Sequence, residues 1–138
     1  MVAALSNEKN VIEVADHFYT IANALHFRLS TKARAESENL EDLYSLLTEE
    51  YGLRARAGIL RNSAKTHIVS DSTATQVELC EALSHATTKI PEIAEIAQLR
   101  TLTKTVSTLC VCISPGKGRV IDFMLQELLR DLDPLSMP

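Results

Sequence analysis

Between Pro91 and Ile113 the large apolar residues Leu99, Leu102, Val106, Leu109 and Ile113 recur at steps of 3, 4, 3 and 4. That spacing puts them on one stripe of a helix. Ile93, Ile96 and Ala97 enter from an adjacent angle, and Cys110 and Val111 widen the face near its end. A helix apolar on more than one side needs cover from several partners, so the stretch reads as the central member of a bundle. The β-branched residues within Thr105–Ile113 offer a buried strand as the alternative, but no second convincing strand is present to pair with it.

The rest of the chain carries the same helical period. Ser6 or Asn7 can cap a helix running to about Leu29, with Val11, Val14, Ala15, Phe18, Ala22, Leu25 and Leu29 on its apolar face. Residues 30–39 contain no large apolar side chain and read as an exposed helix end or a connection. Ser37 or Asn39 then caps a second helix, whose shared face is Leu40, Leu43, Tyr44, Leu47 and Tyr51. Gly52 is expected to end or bend it. Leu53 to about Lys65 reads as a third, shorter helix with Ala57, Ile59, Leu60 and Ala64 inward. Ser70, Asp71 and Ser72 are cap candidates for a fourth helix to about Thr88, with Val77, Leu79, Cys80, Leu83 and Ala86 inward. After the long helix, Ser114 to Gly118 is the strongest turn signal in the chain. A last helix over about Arg119–Leu132 buries Ile121, Met124, Leu125, Leu128 and Leu132, and Asp133-Pro134 is expected to stop it.

Composition agrees with this period. Aromatics are only 4% of the 138 residues, and glycine and proline number four each, which disfavours a strand-and-turn architecture. The expected fold is therefore all-α: residues 1–138 form a single-domain helical bundle of five or six helices. The net charge of -4 is spread over both halves of the chain, which argues against bulk nucleic-acid binding. No apolar run approaches the ~18 residues of a membrane span, and the first residues do not read as a secretory signal. Cys80, Cys110 and Cys112 are an odd number in a chain that is not a small disulfide scaffold. A reducing, cytoplasmic compartment fits best.

Few residues suggest chemistry. Glu13 with His17, and Glu81 with His85, are i,i+4 pairs, whereas carboxylate-bridged metal bundles use Glu and His at i,i+3. Cys110 and Cys112 point in different directions on a helix and have no second pair for a zinc site. Pro115-Gly116-Lys117-Gly118-Arg119 could hold a phosphate at a helix start but lacks the glycine and hydroxyl of a Walker A loop. No cofactor or metal is expected. Arg54, Arg61 and Lys65, spaced 7 and 4, align as a basic face that could touch an acidic partner or phosphates.

Arg61-Asn62-Ser63-Ala64-Lys65-Thr66-His67 resembles the Arg-polar-x4-His motif of HEPN ribonuclease domains, over seven residues of the 138. The resemblance implies metal-independent RNA cleavage at a dimer interface. Arg61 and His67 would then supply charge stabilisation and proton transfer, and Asn62 would orient them. Members of that family more often carry the motif late in the bundle, whereas here it lies mid-chain. The leading expectation is instead a non-enzymatic protein–protein interaction or adaptor module. It would act through helical faces on another protein or on a second copy of itself as a homodimer, with RNA as a partner only under the alternative.

Overall fold

The computed structural model describes residues 2–33 and 40–136. Among these are five α-helices: α1 (Glu8–Arg28), α2 (Leu40–Asn62), α3 (Gln76–Lys89), α4 (Ile96–Val111) and α5 (Gly118–Ser136). Short helical turns at Leu29–Ala33, Ala64–His67 and Ile90–Glu92 extend or join them. The only extended pairing among the described residues is an isolated bridge between Ala3 and Thr75. The chain is an all-α helical bundle, and no described helix is long and apolar enough to cross a membrane.

The central member is α1, not the helix that the apolar run at Pro91–Ile113 suggested. The Asn7 side chain caps α1 by accepting from Asn10 N at 2.8 Å. Its Val11, Val14, Ala15, Phe18, Ala22 and Leu25 are all fully buried. It packs against α2, α3 and the turns at Ala64–His67 and Ile90–Glu92. Helix α4 lies to one side, against α2 and α5. Its stripe Leu99, Leu102, Val106 and Leu109 is buried as the spacing required, but Val111 is exposed. The strand alternative fails because Thr105 to Val111 is helix throughout. Helix α4 also starts later than the sequence suggested, at Ile96, because Ile90–Glu92 forms a separate turn carrying the proline.

Two expected breaks do not occur. Helix α2 continues without interruption through Gly52, so the second and third expected helices are one. A glycine inside a helix costs only about 1 kcal/mol, which 23 residues of continuous helix outweigh. Helix α5 continues past Asp133-Pro134 to Ser136, where the hydrogen bond that proline forgoes falls in the final turn. The caps expected at Ser37 or Asn39 lie outside the described residues.

The segment before α3 is a clasp. Thr75, and not Ser70, Asp71 or Ser72, caps α3, through a reciprocal capping box with Glu78. Asp71 instead reaches across to α5, accepting from Gly118 N at 3.0 Å. Asp122 of α5 reaches back, accepting from Ser72 Oγ at 2.6 Å, Thr73 N and Oγ1 both at 2.8 Å, and Ala74 N at 3.2 Å. Burial works against ionisation of Asp122, but these hydrogen bonds outweigh it and hold its carboxyl below the usual range. The N-terminal residues lie along the same segment: Ala4 N donates to Ala74 O, Gln76 N to Val2 O and Val69 N to Leu5 O. Leu5 takes the left-handed conformation at φ 61° with its side chain fully buried. That strain, about 1–2 kcal/mol, is borne because the burial and Leu5 N donating to Gln76 Oε1 over-determine the turn.

Candidate functional site

Arg61 lies in the last turn of α2, and its Nη1 donates to Asp16 Oδ1 of α1 at 2.8 Å. His67 ends the following turn, with Nδ1 folded back to 2.9 Å from Ser63 O and 3.1 Å from Thr66 Oγ1. Asn62 is exposed. Each of the two motif side chains is thus engaged with its own neighbours. The basic face is divided in the same way. Arg54 donates to Glu50 at 2.8 Å, Lys65 is exposed, and Arg56 turns towards Val111 O at 3.4 Å.

The other candidates resolve into packing. Glu13 accepts from Gln76 Nε2 at 2.8 Å and lies 3.4 Å from Cys80 Sγ. Those two contacts lower the Glu13 pKa. Burial first, then Glu13 itself, pushes the Cys80 thiol up to about 12. Burial likewise pushes Cys110 up to about 12. Neither thiol is poised as a nucleophile. Among the described residues no group of three or more His, Cys, Asp or Glu side chains could hold a metal ion. The start of α5, where a phosphate could have been held, is already capped by Asp71.

Helix α2 holds the unexpected feature. Its buried residues are Leu46, Glu50, Leu53, Ala57 and Leu60. The face expected to be inward is turned out: Leu40, Tyr44 and Tyr51 are 60%, 62% and 67% exposed, with Leu43 and Leu47 half-buried. Ile59, also expected inward, is exposed, as is Val77 on α3. The reason lies at Glu50. Its carboxylate is buried between His26 Nδ1 of α1 at 2.9 Å and Arg54 Nε at 2.8 Å. With both oxygens partnered, a charge can occupy the inward face, and the helix is free to take the phase that buries Leu46, Leu53, Ala57 and Leu60.

The result is a continuous outward ridge of Leu40, Tyr44, Thr48, Tyr51, Ala55 and Ile59. The steps of 4, 4, 3, 4 and 4 keep all six within about 100° of arc. None of the six is charged, and Glu41, at the angle of Ile59, is the acid at the edge of the arc. At its N-terminal end the ridge borders a groove of about 520 Å³ lined by His26, Leu29, Leu43, Tyr44 and Leu47 among others. The apolar spacing of the sequence picks out Leu40, Tyr44, Tyr51 and Ile59 of this ridge, but as an inward face. No family model, curated protein or solved structure matches this chain.

Proposed function

We propose that this chain is a non-enzymatic helical interaction module that docks through the outward face of α2. The observation that carries the reading is the uncharged ridge from Leu40 to Ile59, about 28 Å long at 1.5 Å per residue. Other large apolar side chains are exposed elsewhere, Phe27 and Phe123 among them, but on α2 four of them share one arc, and contiguous apolar surface marks interaction sites. Tyrosines are also well suited to anchor such contacts, since they offer large area with few rotors and a polar tip. Three free cysteines, an odd number, fit a reducing compartment, and the cytoplasm is the location proposed.

The test is site-specific photo-crosslinking in cells. A photo-reactive phenylalanine analogue at position 51 should give a discrete adduct, lost when Ala55→Glu is added. The same analogue at Lys104, exposed on α4, should give none. Absence of any adduct at position 51, or one indifferent to Ala55→Glu, would remove the docking reading.

A further inference from the structure

We infer that the seam between α2 and α4 binds ordered water, held by the hydroxyls of Thr103 and Ser107. The site lies on a different side of α2 from the ridge and does not depend on the docking reading.

Two contacts fix which sides of the helices meet. Arg100 Nη1 of α4 donates to Asp42 Oδ1 of α2 at 2.9 Å, and Arg56 Nη2 of α2 donates to Val111 O at 3.4 Å. The seam therefore runs from Asp42 to Arg56 on one helix and from Arg100 to Val111 on the other, in the same direction. Ser107 follows Arg100 by two turns and sits about 20° from its angle, and Thr103 follows by one turn at about 60°. Both look towards α2. Glu49, midway between Asp42 and Arg56 and at nearly their angle, lies in the row that α2 presents to them.

The hydroxyls of α4 divide into two kinds. Thr101, Thr105 and Thr108 each donate back to the carbonyl one turn earlier, at 3.1, 3.1 and 2.8 Å, and Thr105 also meets Asp131 of α5. Thr103 and Ser107 do not. Their Oγ atoms are shut away from bulk solvent, yet neither has a hydrogen-bond partner among the described residues. Thr103 is only 3% exposed as a residue. At the far end of the seam Arg56 Nε is buried and unpartnered in the same way. A buried polar atom without a partner is costly, and ordered water is the usual means of satisfying it. Residues one turn apart hold their Cβ atoms about 5–6 Å from each other, a span that one water can bridge by bonding to both hydroxyls. Helix α2 is also small beside its facing row: a Cβ at Gly52 would meet nothing within 4 Å. Three orphaned polar atoms thus gather in the one contact between α2 and α4, whereas the threonines outside it are satisfied by their own helix.

Oxygen-17 magnetic relaxation dispersion on the full chain, which counts waters that stay bound longer than the protein tumbles, tests the assignment. The double variant Thr103→Val with Ser107→Ala should lose at least one such water, with circular dichroism confirming that it stays helical. Thr108→Val, which removes a hydroxyl already bonded within α4, should lose none. Urea unfolding supplies the second measurement. Valine keeps the shape of threonine, so Thr103→Val should lower the urea midpoint by depriving a bound water of a partner. In a dry seam the same change would raise the midpoint, because it replaces an orphaned hydroxyl with a methyl. An undiminished water count in the double variant would overturn the proposal, and so would a raised midpoint in Thr103→Val.

Discussion

Gly118→Ala should be far more damaging than a methyl group at a helix start ordinarily is. Gly118 is the first residue of α5 and is buried against the loop before α3. A Cβ added there would lie 2.3 Å from both Asp71 C and Asp71 O, and 2.6 Å from Asp71 Oδ1. Ordinary contact begins near 3.4 Å, so the loop and the helix must part by about 1 Å. Two of the three obstructing atoms are backbone, so no side-chain rotation gives relief. Parting them withdraws Asp71 from Gly118 N and strains the four hydrogen bonds that Asp122 accepts one turn further on. Overpacking of this kind costs about 1–3 kcal/mol and a lost cap about 0.5–2, roughly 1.5–5 kcal/mol together. That is a large share of the ~5–15 kcal/mol that holds a typical domain. Urea unfolding followed by far-ultraviolet circular dichroism would measure it. Asp71→Ala loses the cap without the clash and should cost only the ~0.5–2 kcal/mol of the cap. Gly52→Ala, where nothing lies within 4 Å, should stabilise α2 by about 0.5–1 kcal/mol. A Gly118→Ala protein within about 0.5 kcal/mol of wild type would refute the clasp as a rigid contact.

Four further outcomes are expected. Leu109→Ala should cost about 2–5 kcal/mol in the same titration, because Leu109 is fully buried on the α4 stripe. The lowered Asp122 pKa means that its contribution is complete above the unfolded value of about 3.9 and is lost as pH falls through the folded one. Asp122→Asn should therefore destabilise the chain at neutral pH and flatten its stability profile below about pH 4, as urea midpoints across acidic pH would show. Cys80 and Cys110, both with pKa near 12, should resist a thiolate-specific reagent at pH 8 until denaturant is added, Cys110 the more so. Arg61→Ala and His67→Ala should each cost under about 1 kcal/mol, as exposed pairs do, and neither they nor the wild type should cleave single-stranded RNA in chelator. Cleavage lost in His67→Ala would revive the ribonuclease alternative.

Helix positions were legible wherever one apolar stripe stood against polar neighbours. Val11, Val14, Phe18 and Leu25 on α1, and Ile121, Leu125 and Leu128 on α5, are buried as their spacing requires. Position within the bundle was not legible, because centrality depends on how many neighbours cover a helix, and a stripe's period carries no such information. Helix α4 is strongly apolar yet peripheral, while α1 takes the centre with small residues such as Ala15 and Ala22 that admit close neighbours. The clasp was hidden for a related reason. Asp71 and Ser72 are good cap residues, but local preference cannot tell which helix they serve, and Asp71 serves one that begins 47 residues later.

The ridge on α2 was hidden by its chemistry. Two sets of apolar residues run along this helix at spacings of 3, 4, 7 or 8: Leu46, Leu53, Ala57 and Leu60, and Leu40, Tyr44, Tyr51 and Ile59. Periodicity alone cannot choose between them, and a charge at position 50 in the first set favours burying the second. The protein does the reverse, because His26 arrives from α1 and Arg54 from one turn along to satisfy Glu50. The bland explanation of the ridge would be leftover apolar surface, since most protein surfaces carry some. Scattered leftovers, however, do not line up four large apolar side chains, Leu40, Tyr44, Tyr51 and Ile59, in one arc over five turns. Nor does burying a glutamate while exposing two tyrosines on the same helix serve the stability of the single chain. A local rule broken twice on one element, outward and inward, is where a functional constraint is expected to act.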